Sequence, residues 1–111
     1  MTAAPVHTDL ARGRWQTMPL VTQLANVGSE VDRAIRGREQ GNAQRSASAF
    51  ARALELFDLT ATDARWHGHR RREILRAREL FCGLFHSASP AAGDAEFLQK
   101  YFLEFAVAAR R

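Results

Sequence analysis

The sequence predicts an all-α protein, an antiparallel four-helix bundle with an irregular N-terminal segment. Four segments carry apolar residues at intervals of three and four, the period of an amphipathic helix. No segment alternates between apolar and polar residues over a strand's length between turn signals. The 111 residues suit one domain, and a 46% share of hydrophobic residues can supply a core. We therefore expect four helices joined by short connections.

The N-terminal segment is expected to be irregular. Residues 1–17 contain Pro5 and Gly13 and show no sustained period. We therefore assign residues 1–17 to an irregular segment and residues 18–111 to the bundle.

The first helix is predicted from about Pro19 to Gln40. Proline suits the first turn of a helix, where its missing N–H is not needed. Gly41 and Asn42 tolerate the left-handed conformation that ends many helices. One apolar stripe runs between these signals, made of Leu20, Leu24, Val27, Val31 and Ile35.

The second helix, predicted at about residues 44–62, has an unusually wide apolar face. Two neighbouring stripes suggest a central helix that touches two or more others. Phe57 continues the first stripe in the middle of this helix, so we expect it in the core. The first stripe contains Phe50, Leu54, Phe57 and Ala61, and the second contains Ala49, Ala53, Leu56 and Thr60.

Two further helices follow, separated by a loop at residues 87–93. The third is predicted at about residues 69–85 and the fourth from Asp94, a suitable N-cap, towards the C-terminus. The third buries Ile74, Ala77, Phe81 and Leu84; the fourth carries Leu98, Tyr101 or Phe102, Phe105 and Ala109.

The apolar surface exceeds what one small bundle can bury, which predicts a homo-oligomer. Helix 2 has two stripes, and the aromatic residues of helix 4 surround much of its girth. An exposed apolar patch usually marks an interface. The aromatic residues of helix 4 are Phe97, Tyr101, Phe102 and Phe105.

Basic charge is concentrated in one short window. Residues 64–79 contain six arginines and two glutamates, a net charge of +4 that equals the formal charge of the whole chain. The run from His69 to Arg72 leads into the third helix, whose N-terminal end favours acids. Arg72 and Arg76 are also spaced for mutual repulsion. Something must compensate for this arrangement.

Two kinds of compensation remain open. Acids of a neighbouring helix, such as Glu55, Asp58 or Asp63, would pair with the arginines. A bound phosphate or carboxylate would do the same from outside, and arginine suits bidentate phosphate contacts. The chain has 15 arginines and one lysine.

The functional interpretation places a nucleic-acid contact on this window. Trp66 lies beside Arg65, and Trp15 follows Arg14, so the indoles could stack on bases or instead close the ends of the bundle. The predicted nucleic-acid-binding residues are Arg65, Trp66, His69, Arg70, Arg71, Arg72 and Arg76.

No residue pattern predicts an enzyme. His67 and His69 are too close for a helical metal pair, and no Glu-x-x-His motif is present, so we predict no metal and no cofactor. Cys82 continues an apolar flank, as a packing cysteine does. We expect Glu30, Arg33, Arg52 and Glu55 to form an ion-pair network between helices 1 and 2.

The compartment predicted from the sequence is the cytoplasm. One cysteine allows no intramolecular disulfide and fits a reducing environment. The N-terminus lacks the pattern of a signal peptide, and no apolar run approaches the ~18 residues of a membrane span.

Residues 23–42, 50–60 and 100–111 resemble segments of small uncharacterised bacterial proteins, a resemblance that extends over about residues 14–111. More loosely, the helix pattern resembles a four-helix-bundle superfamily. That superfamily includes proteins encoded in 23S rRNA intervening sequences and the accessory variability determinant of diversity-generating retroelements. The resemblance implies a basic, non-enzymatic homo-oligomer, with nucleic acid and a reverse transcriptase as partners.

Two functions are therefore predicted. The first is a non-catalytic, retroelement-associated adaptor that binds RNA or DNA through its Arg-rich face. The alternative is a structural protein that scaffolds an acidic protein partner through the same face.

Overall fold

The computed structural model describes residues 13–87 and 92–111 and confirms the all-α prediction. A short 3-10 helix, Trp15–Thr17, precedes four α-helices. These are α1 Leu20–Glu39, α2 Ala43–Ala61, α3 His69–His86 and α4 Asp94–Ala109. No strand occurs within the described residues, and none of the helices described there is long and apolar enough to cross a membrane.

The helices form a bundle in which α1 packs extensively against both α2 and α4, while α3 packs less extensively against α2 and α4. Along α1 and α2, Ser46 Oγ donates to the Ala34 carbonyl at 2.9 Å. Along α1 and α4, Gln99 donates to Asp32 at 3.0 Å. The basic helix α3 consequently lies across the bundle from α1.

A buried carboxylate joins α1 to α2, as the sequence predicts for three of the four expected residues. Glu30 is buried and forms an ion pair at 3.0 Å with Arg33 of the same helix. Arg52 of α2 binds its second oxygen at 3.1 Å. Since both carboxylate oxygens are engaged, the network offsets the cost of burying the charge and fixes the register of the two helices.

Aromatic side chains from three helices fill the core. Phe57 is 0% exposed, which confirms its predicted position. Its ring lies 5.9 Å from Phe81 of α3 and 5.9 Å from Phe102 of α4. Phe50 extends the cluster towards the far end of the bundle by stacking on Phe81 at 5.0 Å. The core is thus continuous along α2.

Two helix junctions show how glycine sets the path of the chain. Gly41 has φ +72 and ends α1, and the Asn42 side chain then caps α2 by accepting from the Arg45 N–H at 3.0 Å. The prediction that Asp94 is the N-cap of α4 is wrong by one residue. Gly93 holds that position at φ +89, and Asp94 is the first helical residue. Its carboxylate still lies at the positive end of the helix.

The N-terminal segment contributes to the core over its described part. Trp15 is fully buried, and its indole N–H donates to Thr60 Oγ1 near the end of α2 at 2.9 Å. Residues 1–12 of the predicted irregular segment lie outside the described residues. The division at residue 17 stays a prediction.

Candidate nucleic-acid interface

The candidate interface begins where the chain turns into α3. Gly68, at φ +61, precedes the helix and provides no side-chain cap, and the first turn contains no acid. His69, Arg70, Arg71 and Arg72 occupy this turn instead. Positive side chains therefore stand at the end of the helix whose backbone already carries partial positive charge.

Four arginines of this region lack an ion-pair partner within the described residues. Arg70, Arg71, Arg72 and Arg76 are exposed, and none forms an ion pair or side-chain hydrogen bond with the rest of the described chain. We call these four residues the free arginine cluster. No acid among the described residues forms an ion pair with it.

The helix geometry turns part of this cluster directly to solvent. Ile74 and Ala77 are buried and define the inner side of α3. With about 100° per residue, Arg72 and Arg76 lie on the opposite side, one turn apart. Glu79 is exposed on the same side one turn later and places one negative charge near the end of the cluster.

Arg65 behaves differently, because a buried carboxylate holds it. Asp63 is 3% exposed and accepts hydrogen bonds from Arg65, from Nη2 at 2.7 Å and from Nε at 3.1 Å. The same Nη2 donates to the Met18 carbonyl at 2.7 Å. Hydrogen bonds from Arg65 lower the pKa of Asp63 to about 2 against the opposing effect of burial. Arg65 therefore serves the loop that leads into α3.

Trp66 is also engaged within the protein. Its indole N–H donates to Gln23 Oε1 at 2.7 Å, and the Arg65 guanidinium lies 4.9 Å from the ring centroid. The ring is half-buried and packs against the core. Trp66 closes one end of the bundle, the second of the two roles that the sequence left open for the tryptophans.

Gln23 has a structural role at this end of the bundle that the sequence did not predict. It is 0% exposed and links three segments of the chain. Its amide nitrogen donates to the Trp15 carbonyl at 2.8 Å and to Asp63 at 3.0 Å, while its oxygen accepts from Trp66. This polar network fixes the α2–α3 loop and hence the start of the basic helix.

Three acids near the cluster already have partners. Arg78 binds Asp58 of α2 at 2.9 Å, so the predicted pairing with acids occurs at Asp58 and Asp63. Glu73 accepts the Tyr101 hydroxyl at 2.5 Å. Burial and this bond raise the pKa of Tyr101. Since Glu73 is held towards α4, it does not pair with the arginines beside it.

His69 lies at the edge of the cluster and is accessible. Its side chain is 88% exposed, and its Nε2 atom is 3.9 Å from the Glu73 carboxylate. It is therefore available to an external partner together with the arginines of the same turn.

The described residues contain no group of three His, Cys, Asp or Glu side chains that could hold a metal ion. Cys82 is half-buried, and Arg78 approaches its sulfur at 3.9 Å.

Compared with known proteins, the chain matches no family model, no curated protein and no solved structure.

Proposed function

We propose that this protein is a non-catalytic helical-bundle adaptor that binds nucleic acid through the free arginine cluster of α3. The observation that carries this proposal is the contrast within one basic window. Arg65 and Arg78 are paired with acids, whereas Arg70, Arg71, Arg72 and Arg76 have no partner in the described chain.

The electrostatics of the helix start favour an external anion. Like charges at the positive end of α3 repel one another and the helix dipole. A phosphate backbone would remove this repulsion and gain bidentate contacts with guanidinium groups. Release of condensed counterions supplies further affinity without any sequence readout. We therefore expect binding that depends on phosphate charge, with His69 at the margin of the contact.

The sequence predicts that Arg65 and Trp66 contact the nucleic acid, and we propose an indirect role for them instead. Their hydrogen-bonding groups serve the loop and the network around Gln23. We propose that they position the arginines, and that Arg70, Arg71, Arg72, Arg76 and His69 meet the nucleic acid.

A salt-dependent titration tests the proposal. Fluorescein-labelled single-stranded RNA, hairpin RNA and duplex DNA are titrated at 50 and 200 mM salt, with anisotropy as the readout. Four phosphate contacts predict a loss of affinity of about 50-fold for single strands and about 150-fold for duplex DNA over this range. Arg71→Glu with Arg72→Glu should abolish binding.

A matched control carries the same change of net charge elsewhere. Arg45→Glu with Lys100→Glu alters two exposed residues away from the start of α3. This control should retain at least half of the binding free energy. No binding of any probe at 50 mM salt, or equal losses in the two double variants, refutes the proposal. Charge-dependent capture of an acidic protein after nuclease treatment would then support the scaffold alternative.

We also propose that several copies assemble into a homo-oligomer. Three of the four exposed large apolar residues of the described chain lie on α4, and Leu103 is 60% exposed. Assembly would bring several arginine clusters onto one nucleic acid and raise the avidity. Light scattering that gives a monomer mass of 12.4 kDa at tens of micromolar protein would refute it. The three exposed apolar residues of α4 are Phe97, Leu103 and Val107.

The cytoplasmic location and the association with a retroelement belong to the same proposal. The genes beside the coding sequence test the association, because a neighbouring reverse transcriptase would supply the expected partner. A neighbourhood without one in several genomes would remove the retroelement from the proposal and leave the phosphate contact to the titration.

A further inference from the structure

A cavity of about 400 Å³ opens at the end of the bundle opposite the free arginine cluster. It lies where α1 ends, α2 begins and α3 ends. The rings of Phe50 and Phe85, 5.0 Å apart between centroids, belong to its lining together with the small side chains of Ser46 and Ala47. We call it the Phe50–Phe85 cavity. Its volume is within the range of small-molecule sites, about 300–1,000 Å³.

A fixed positive charge stands at the rim of this cavity. Arg38 donates to the Leu84 carbonyl near the end of α3, and its guanidinium carbon lies 5.3 Å from the centroid of the Phe85 ring. It forms no ion pair with the described residues. The guanidinium is thus held in place while its charge is left uncompensated. The planar guanidinium group of Arg38 can therefore donate hydrogen bonds to a carboxylate without first being reoriented.

The rim also contains an imidazole ring and the start of a helix, of which the helix start adds positive character. His86 also lines the cavity, and its ring meets Phe50 edge-on at 5.2 Å. The positive end of the α2 dipole lies beside it, because Ala43 is both a lining residue and the first residue of α2. Among the described residues, no acidic side chain lines the cavity.

We infer that the Phe50–Phe85 cavity binds a small aromatic carboxylate. The ring of the ligand packs against Phe50 and Phe85, and its carboxylate receives hydrogen bonds from Arg38. The small side chain of Ala47 leaves room for the ring. This site is separate from the proposed nucleic-acid contact and does not depend on it.

Binding of 2-naphthoate, with 2-naphthamide as the uncharged analogue, tests the inference on the full chain. Backbone NMR shifts should show saturable binding of 2-naphthoate, with the largest changes around Phe50 and Phe85. The amide should bind about tenfold more weakly, since it cannot form the charge-assisted pair. Arg38→Gln should lower the affinity for the carboxylate about tenfold and leave the affinity for the amide unchanged.

Two further variants separate the cavity from general surface charge. Ala47→Leu should abolish binding of both probes because it fills the cavity, and a circular dichroism melt reports whether it folds. Arg71→Gln, at the other end of the bundle, should bind 2-naphthoate as the wild type does. Absence of saturable binding to the wild-type chain overturns the inference, as does equal affinity for the acid and the amide. Either result can be obtained even if a variant fails to fold.

Discussion

Gly28 of α1 lies directly against Phe102 of α4, so closely that a Cβ atom at position 28 would be 2.5 Å from the Cβ of Phe102. That neighbouring atom is attached to the backbone of α4 and cannot swing away. The absence of a side chain at Gly28 therefore sets how closely α1 and α4 approach.

Gly28→Ala should destabilise the protein, although alanine is the better helix former. The helices must separate to admit the methyl group, at a cost of about 1–3 kcal/mol from overpacking. The higher helix propensity of alanine offsets up to about 1 kcal/mol of this loss. Gly83→Ala is the matched control, because a Cβ at that helical glycine would meet nothing within 4 Å. Urea unfolding should show a loss for Gly28→Ala and a gain for Gly83→Ala, and losses of equal size would contradict the close approach.

Phe57→Ala and Arg71→Ala should separate core packing from surface charge. Phe57 is buried against aromatic rings of α3 and α4, so its truncation should cost about 3–5 kcal/mol through lost transfer energy and a cavity. Arg71 is exposed and has no partner in the described chain, so its removal should change stability by less than about 0.5 kcal/mol or raise it. Thermal melts measure both. Equal destabilisation would show that the free arginine cluster is part of the fold.

The stability of the protein should fall in acid because of Asp63. Its pKa is lowered from 3.8 to about 2 by hydrogen bonds from Arg65, so the unfolded chain takes up the proton first. The stabilisation is fully present above about pH 4 and is lost as the pH falls through 3.8 towards 2. The shift corresponds to about 2 kcal/mol.

The wild type and Asp63→Asn, unfolded by urea between pH 2 and pH 6, measure this contribution. The variant should be less stable at pH 6 and should lose less stability on acidification. Parallel pH profiles for the two proteins would show that the Asp63–Arg65 pair contributes nothing.

Gln23→Leu should destabilise the end of the bundle where the polar network lies. The substitution keeps the volume but leaves the Trp66 N–H and the Trp15 carbonyl without Gln23, at about 1–3 kcal/mol for a buried polar group. Gln44→Leu at an exposed position of α2 is the control and should stay within about 0.5 kcal/mol. Calorimetry compares the two. A neutral Gln23→Leu would mean that water replaces the lost bonds.

The helices could be predicted because local signals mark their ends. Pro19, Gly41 and Gly93 each lie at a helix boundary. Between such signals the apolar residues repeat over several helical turns, so the pattern does not depend on any single residue. Asp94 was misplaced by one position because glycine and aspartate both suit a helix start, and only the backbone conformation distinguishes them.

The candidate site could be located from the sequence but not resolved into its parts. Arg65 and Arg71 have the same side chain in the same window, and only the folded loop brings Asp63 and the Met18 carbonyl to one of them. Gln23 gave no signal at all, since a glutamine beside an apolar stripe is ordinary. Its partners Asp63 and Trp66 are 40 and 43 residues away.

The lack of ion pairs between the described residues and Arg70, Arg71, Arg72 or Arg76 has an evolutionary consequence. No ion pair or hydrogen bond of the described chain depends on these four side chains, so we expect mutation to change them with little cost to folding unless something outside the chain selects against it. In an alignment of orthologous sequences, drift to neutral or acidic residues there would indicate that no polyanion is recognised. Arginine or lysine retained at the same four positions would record selection for binding, uncontaminated by selection for stability.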